Sequence, residues 1–336
     1  MIKYDFLLKE YNTFGIAAKT KRYIKLTNTV QAKELLEREK FNPGNSLILG
    51  GGSNILFTKD FDGTVIQAVF DNIEINEITG DIAIVSAEAG LEWDRLVQWA
   101  VDNKLGGLEN LSYIPGSVGA APIQNIGAYG AEVSRLITAV HTLSLDRAEV
   151  RVFTNKECMF GYRDSIFKNQ LKGKYLITKV DFMLKRAPHE FMLSYGNLEN
   201  EISSKGEITL AAIRDTVIKM RREKLPEPSE KGNAGSFFKN PVLSSNDYNR
   251  LKKKYMDIPS WPQGNGFHKI PAAWLIEKAG WKGKRAGRAA VHDKQALVLV
   301  NMGDAGGGEI IKLADMIVKS VQEMFGITLN REVNII

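Results

Sequence analysis

The chain has 336 residues, 44% of them hydrophobic and 25% charged, enough apolar sequence for two or three domains with cores of their own. Those values sit near the globular average and exclude a fibrous or disordered chain. The 45 basic and 39 acidic residues leave a net charge of +6, which suits either a nucleic-acid binder or a handler of small anions. No run approaches about 18 uninterrupted apolar residues, so no membrane association is expected. Met1-Ile2-Lys3-Tyr4-Asp5 lacks the apolar core of a secretory signal, and a cytoplasmic location is expected. A single cysteine, Cys158, excludes an intrachain disulfide and a zinc site built from several thiolates. The four histidines are not spaced as a metal pair, so no metal is expected. Basic residues cluster at Lys219 to Lys224, Lys252 to Lys254 and Lys282 to Arg288, with few aromatics for base stacking. A small anionic substrate explains them as well, and nucleic acid is not the expected partner.

Taken in chain order, Leu47-Ile48-Leu49 is a short apolar strand that drops into Gly50-Gly51-Gly52-Ser53-Asn54. Ile82 to Ala87 reads as a second strand. Glu92 to Asn103 reads as a helix burying Trp93, Leu96, Trp99 and Ala100, with Gly106-Gly107 to stop it. In Leu176 to Leu184, Leu176, Val180, Phe182 and Leu184 share one face and Lys179 and Asp181 the other, the period of a half-buried strand. Composition then shifts near residue 205. Thr209 is a good N-cap for a helix with Leu210, Ile213, Val217 and Met220 at helical spacing and Arg214, Lys219 and Arg222 elsewhere around it. That helix ends before Pro226. Pro271 opens another, through Trp274 and Ile276 to Gly280. A last helix from Gly308 to Gly326 turns Ile310, Leu313, Ile317, Val321 and Met324 inward, and a strand from Thr328 to Ile335 closes the chain. The class is α+β, strand-rich in front and helix-richer behind.

Two glycine segments stand out: Gly50 to Asn54, and Ile114-Pro115-Gly116-Ser117-Val118-Gly119-Ala120-Ala121-Pro122 continuing through Gln124-Asn125 to Gly127-Ala128-Tyr129-Gly130. Neither fits G-x-G-x-x-G opening a helix, and neither carries the Lys-Ser/Thr of a P-loop. Runs of small residues let successive backbone N–H groups approach one anion, so two such loops could hold the two phosphates of a dinucleotide without a lysine. Tight turns between strands are the alternative.

With these residues the sequence resembles the UDP-N-acetylenolpyruvoylglucosamine reductase family of bacterial cell-wall flavoenzymes. The matching segments are Asn12 to Ile16, Gly52-Ser53-Asn54, Ile114 through Gly130, Gly161-Tyr162-Arg163-Asp164-Ser165, Gly232 to Pro241, and Leu329 to Val333. The resemblance implies an α+β protein with a two-part FAD-binding domain of the vanillyl-alcohol-oxidase-like class and a C-terminal α+β substrate domain. The expected parts are 1–68, completed by the closing strand 329–336, then 69–206, then 207–328. It implies non-covalent FAD, since Gly50 to Leu56 offers no histidine for attachment. Gly50, Gly51, Gly52, Ser53, Asn54, Ile114, Pro115, Gly116, Gly119, Ala120, Ala121, Gln124, Gly127, Ala128 and Tyr129 are its expected contacts. The partners implied are NADPH and UDP-N-acetylglucosamine enolpyruvate, with a monomeric enzyme.

The family's reaction passes hydride from NADPH through FAD to the enolpyruvyl methylene carbon, leaving enolate-like charge beside a carboxylate. By match, Ser236 is the proton donor, and Arg163 and Glu332 flank that carboxylate. A planar, permanently charged guanidinium suits the carboxylate. An ionised Glu332 would repel it, so Glu332 is expected to carry its proton in the complex. Tyr195, in the Leu193-Ser194-Tyr195-Gly196 loop of the family's longer type, matches a substrate-holding position, as do Lys224 and Asn240; Arg221 is a weaker candidate. Trp261, Lys269 and Gln295 match the region that contacts uridine, Trp261 standing where tyrosine is expected. Asn334 stands where a basic residue is common, which puts any flavin contact there in question. The rival enzyme reading is a flavin oxidase of a sugar or alcohol, and Ser236 with Glu332 argues against it. A UDP-sugar or nucleic-acid binding module without catalysis is the reading from another class.

Overall fold

The computed structural model describes residues 1–203 and 207–336. They form two compact units, each assembled from separated stretches of chain. The first contains 1–6, 20–51 and 62–221, and the second 7–19, 52–61 and 222–336.

The first unit opens with β1 (Ile2–Leu7), β2 (Lys19–Leu26), helix α1 (Thr29–Arg38) and β3 (Ser46–Ile48). The short β4 (Ile55–Leu56) lies in the second unit, and β5 (Phe61–Ala68) returns to complete a four-stranded sheet ordered β1-β2-β5-β3. Next come β6 (Ile73–Thr79), β7 (Ile82–Glu88), α2 (Trp93–Asp102) and the small hairpin of β8 (Gly127–Ala128) and β9 (Ala131–Glu132). Strands β10 (Ile137–Ser144), β11 (Val150–Thr154) and β12 (Tyr175–Lys185) join β7 and β6 in an antiparallel sheet ordered β11-β10-β12-β7-β6. On β12 the predicted alternation holds: Val180, Phe182 and Leu184 are fully buried while Lys179 and Asp181 take the other face. Trp93 of α2 packs its ring edge-to-face on Phe182, and its indole N–H donates to Leu111 O at 2.9 Å.

Helices α3 (Leu198–Ser203) and α4 (Leu210–Lys224) follow, with Thr209 accepting the Ala212 N–H as the expected cap. Most of α4 belongs with the first unit. Two interactions hold it there. Ile213, Val217 and Met220 cluster with Leu198 and Ile202, and Arg214, only 6% exposed, pairs with Asp94 of α2. The periodicity placed Arg214 away from the apolar stripe; the structure buries it.

The second unit contains β13 (Asn233–Ser236), β14 (Val242–Ser244), α5 (Ser245–Lys254), β15 (Trp261–Pro262), β16 (Phe267–Lys269), α6 (Ala272–Lys278), β17 (Arg285–Ala286), β18 (Ala289–Val291), β19 (Val298–Asn301), α7 (Gly307–Phe325) and β20 (Asn334–Ile335). Its sheets run β13-β19-β18-β17 and β14-β16-β15, and β20 pairs parallel to β4. Two expectations need correcting. Phe325, not Met324, closes the inner stripe of α7: spacing of four from Ile317 and Val321 puts it against Tyr255 and Trp274, and Met324 stays 40% exposed. The closing strand is not continuous from Thr328. Lys239 N–H bonds Asn330 O and Glu332 N–H bonds Phe237 O, after which Asn334 and Ile336 turn to Asn54 and Leu56. The change of partner at Val333 divides the strand.

The Asp94–Arg214 pair makes stability in the first unit charge-dependent. Its bidentate bonds are both 2.7 Å, and Gln98 accepts the Arg214 Nε–H at 2.7 Å. Burial opposes Asp94's charge, but the Arg214 hydrogen bonds and the Tyr113 N–H hold its carboxyl below the usual range. A lowered carboxyl contributes stability above the unfolded value of about 3.9 and loses it as pH falls through the folded value. Asp94→Ala leaves a buried guanidinium unpaired and is expected to cost about 3–5 kcal/mol. Denaturant unfolding at pH 7 and at pH 3 checks this: the gap between wild type and variant narrows at the lower pH.

Candidate active site

In the first unit β3 delivers Gly50 and Gly51 against the 114–121 turn. A Cβ on Gly50 would lie 2.7 Å from Ser117 Oγ, and one on Gly51 would lie 3.0 Å from Gly116 Cα. Gly119 is equally confined, its Cβ position 2.7 Å from that of Ala89. Trp93 N–H to Gly116 O, Val118 N–H to Leu91 O and Gly119 N–H to Ala89 O fix this turn at 2.8–3.0 Å to the segment joining β7 and α2. Gly51 therefore meets Gly116 backbone to backbone, while Gly50 lies against the Ser117 and Ala120 side chains. That surface fits the pyrophosphate of a dinucleotide such as FAD.

Beyond the turn, Asn125, Tyr129 and Arg163 all have positive φ, of 43°, 46° and 54°. Left-handed backbone at non-glycine residues is costly and must be held by its surroundings. Asn125 does the holding: its amide donates to Gly161 O at 2.9 Å and Glu132 Oε2 at 3.1 Å, and its oxygen accepts Ser134 N–H at 3.0 Å. Gln124 is partly buried beside it. Arg163 in turn donates to Gly127 O and, at 3.4 Å, to Asn125 O, so its guanidinium is laid along the β8–β9 hairpin. A Cβ on Gly127 would lie 2.8 Å from Arg163 Nη1. Asp164 is occupied by the Asn169 amide, with both bonds at 3.0 Å.

Tyr195 is 45% exposed and meets Tyr129 edge-on at 6.1 Å, followed by Gly196 at φ +64°. Asn110, 2% exposed, ties its loop to the hairpin by donating to Met192 O at 2.7 Å and Tyr129 O at 2.9 Å. Nothing in the local sequence marks Asn110 or Asp94. Both act on partners far along the chain.

In the second unit Asn12 closes its own turn by donating to Leu8 O and Ile16 O and accepting Ile16 N–H, while Thr13 N–H bonds Gly52 O at 3.1 Å. Gly52, at φ +65°, lies so close that a Cβ would fall 2.0 Å from Tyr11 O. Ser53 and Asn54 follow, and Asn54 O accepts both the backbone and the side-chain N–H of Asn334 at 3.1 and 3.0 Å. Asn334 is thus a tie between β20 and the glycine segment.

Ser236 ends β13 after a bulge: Asn233 pairs Val300 and Ser236 pairs Val298, so Ala234 and Gly235 oppose one residue. Gly235 takes φ +66° with its N–H on Asn233 Oδ1 at 2.9 Å. Bulges of this kind re-aim the side chain that follows. The Ser236 hydroxyl makes no hydrogen bond among the described residues, and Phe237 beside it is fully buried. Glu332 sits on the adjoining backbone, its N–H on Phe237 O at 2.8 Å. Arg163 belongs to the first unit, Ser236 and Glu332 to the second.

Lys224 ends α4 and is exposed. Asn240 Oδ1 caps α6 by accepting Ala272 N–H at 2.9 Å, leaving its amide N–H groups for other partners. Trp261 and Lys269 are opposite each other on β15 and β16, the ammonium 5.8 Å from the ring centroid. Gln295 lies in the turn before β19 and accepts Leu297 N–H at 3.3 Å. Among the described residues no group of three or more His, Cys, Asp or Glu could hold a metal ion, and no helix is long and apolar enough to cross a membrane.

Residues 21–150 match the family model of an FAD-binding domain, and residues 227–336 match that of the UDP-N-acetylenolpyruvoylglucosamine reductase C-terminal domain. The chain is 44% identical to the UDP-N-acetylenolpyruvoylglucosamine reductase of Flavobacterium johnsoniae, over 100% of this chain and 99% of that protein. With the enzyme of the same name from Pseudomonas putida it shares 43%, over 98% and 97%. The fold resembles the crystal structure of UDP-N-acetylenolpyruvylglucosamine reductase from Thermus caldophilus, with a TM-score of 0.68 at 23% identity over 100% and 99% of the two chains.

Two glycines separate space from conformation. Gly235 has open room for a Cβ, so Gly235→Ala bears only the left-handed strain of about 1–2 kcal/mol. Gly52→Ala adds a clash with Tyr11 O to the same strain. Thermal unfolding is expected to show the larger loss for Gly52→Ala, together with loss of the main-chain bond from Thr13.

Proposed function

The chain belongs to the UDP-N-acetylenolpyruvoylglucosamine reductase family, and from that premise we propose that it reduces UDP-N-acetylglucosamine enolpyruvate to UDP-N-acetylmuramate with NADPH. The product is a precursor of bacterial peptidoglycan. We place the enzyme in the cytoplasm as a monomer, where its nucleotide substrates are made. FAD, when bound, supplies hydride transfer between the two substrates. The observation that carries the reading is the pair of glycine segments meeting backbone to backbone at Gly51 and Gly116, within a chain matched along its length by these reductases.

Gly50 to Asn54 and Ile114 to Tyr129 are our candidates for holding the cofactor. Arg163 is the candidate for the substrate carboxylate. Its fork already lies along the Gly127 and Asn125 carbonyls, which fix the plane it presents. Ser236 is the candidate proton donor to the carbon beside that carboxylate. A hydroxyl is a weak acid and gives up its proton only to a strongly basic carbon in hydrogen-bond reach, so its aim matters more than its acidity. The bulge at Gly235 supports that role. Glu332, in neutral form, donates a hydrogen bond to the growing charge. Lys224, Tyr195 and Asn240 are candidates for the diphosphate, and Trp261, Lys269 and Gln295 for the uridine.

Ser236→Ala is expected to leave flavin reduction by NADPH fast and slow reoxidation by the enolpyruvyl substrate about 100- to 10,000-fold. Stopped-flow absorbance separates the two; equal slowing of both would remove the proton-donor role. Glu332 provides a second test. Glu332→Gln keeps reach and a donor, whereas Glu332→Asp keeps acidity and loses reach, so the amide is expected to be the more active in the second half-reaction. Higher activity for Asp at every pH would mean that charge, not donation, is what the site needs.

A further inference from the structure

Helix α4 presents two arginines to the first unit from one face, Arg214 and, two turns later, Arg221. Their environments differ. Arg214 is neutralised by the bidentate bonds to Asp94. Arg221 makes a single hydrogen bond among the described residues, from Nε to Tyr113 O at 3.0 Å, and its two terminal nitrogens make none. Tyr113 leads directly into the Ile114-Pro115-Gly116 turn at φ +60°, and its N–H is taken by Asp94 Oδ1 at 2.5 Å. Both backbone groups of this one left-handed residue are therefore held by charged side chains, Asp94 on one side and Arg221 on the other.

The β8–β9 hairpin along which the Arg163 guanidinium lies also reaches α4. Arg163 donates to Gly127 O, and two residues later Tyr129 packs on the α4 cluster that contains Met220, the neighbour of Arg221. We infer that Arg221 is a second guanidinium at the Arg163 site, which takes the carboxylate-bearing part of the substrate, and that Asp94 is its positioning residue through Tyr113. This rests on the reductase reading. The electrostatics agree with the geometry. Burial pushes Arg221 below its ordinary value, and the charge of Arg163 pushes the same way against Tyr129, Asp94 and Tyr113. Two guanidinium groups that repel across a site are relieved by an anion between them, more so as an enolate forms beside a carboxylate.

The test compares two ligands that differ by that carboxylate. UDP-N-acetylmuramate carries it and UDP-N-acetylglucosamine does not. Each is titrated into the oxidised, FAD-loaded enzyme by the flavin absorbance change, without turnover. Arg221→Gln is expected to weaken the muramate ligand about 10- to 100-fold and to leave the glucosamine ligand within about twofold. Asp94→Asn is expected to act in the same selective direction and to add nothing in the Arg221→Gln background, because its effect runs through Arg221. Arg221→Lys, which keeps the charge, serves where Gln does not fold, and is expected to lose less. Equal weakening of both ligands, or of neither, overturns the assignment of Arg221. Additive losses from Asp94→Asn overturn its positioning role. Failure of the wild type to bind either ligand overturns the reductase reading itself.

Discussion

Close approach of main chain to main chain is the constraint on which the candidate site depends. Gly51 lies against Gly116, Gly52 against Tyr11, Gly232 against Phe14 and Gly307 against Phe57, and at the last three a Cβ would fall within 2.3 Å of a carbonyl oxygen. No rotamer relieves such a clash, because the obstacle is backbone. Each contact brings together segments that are distant in the chain but belong to one unit. They anchor the same loops from which the cofactor and proton-donor candidates come. The absence of a side chain at these glycines is what lets main chain meet main chain.

Asparagines hold what the glycines permit. Asn12, Asn125, Asn233 and Asn301 each bond several backbone groups of a turn, and all four are at most 8% exposed. A carboxamide both donates and accepts, so one side chain can replace two missing main-chain partners where no ladder continues. Asn301 illustrates this, donating to Phe14 O and accepting from Gly303 and Ala305. Turns fixed in this way keep positive φ at residues such as Asn125 and Arg163 without a glycine.

What was legible in the sequence follows from this division of labour. Periodicity located β12, α2, α4 and α7, because their apolar stripes face single cores. Glycine runs located the loops, because close approach has one residue type as its signature. The buried polar links left no local trace. Asp94 and Arg214 are 120 residues apart, and nothing beside either one names the other. Arg214 therefore read as one more basic residue outside the stripe. The division of the closing strand was hidden for a related reason: nothing at Val333 marks a break, and only the partners of Thr328 to Ile335 reveal that it serves Phe237 first and Asn54 afterwards. Roles for Ser236, Glu332 and Arg163 came from family resemblance, and their residue types alone would not have distinguished them from an ordinary loop serine or surface ion pair.

With Arg221 in the role proposed for it, one helix serves stability and ligand binding together. Arg214 spends its fork on Asp94, which secures α4 to α2 with a pair that a ligand could not easily displace, since breaking it would strand a buried charge. Having Asp94 bound there also fixes Tyr113, and so the start of the 114–121 turn. Arg221, seven residues further, inherits a position without inheriting a carboxylate. An arginine with satisfied geometry and unsatisfied terminal nitrogens is what an anion site needs: the side chain is ordered before the ligand arrives, so less conformational entropy is lost on binding. Exchange of the two roles along the helix would fail, because a partnered Arg221 has nothing left to offer and an unpartnered Arg214 would unfasten α4.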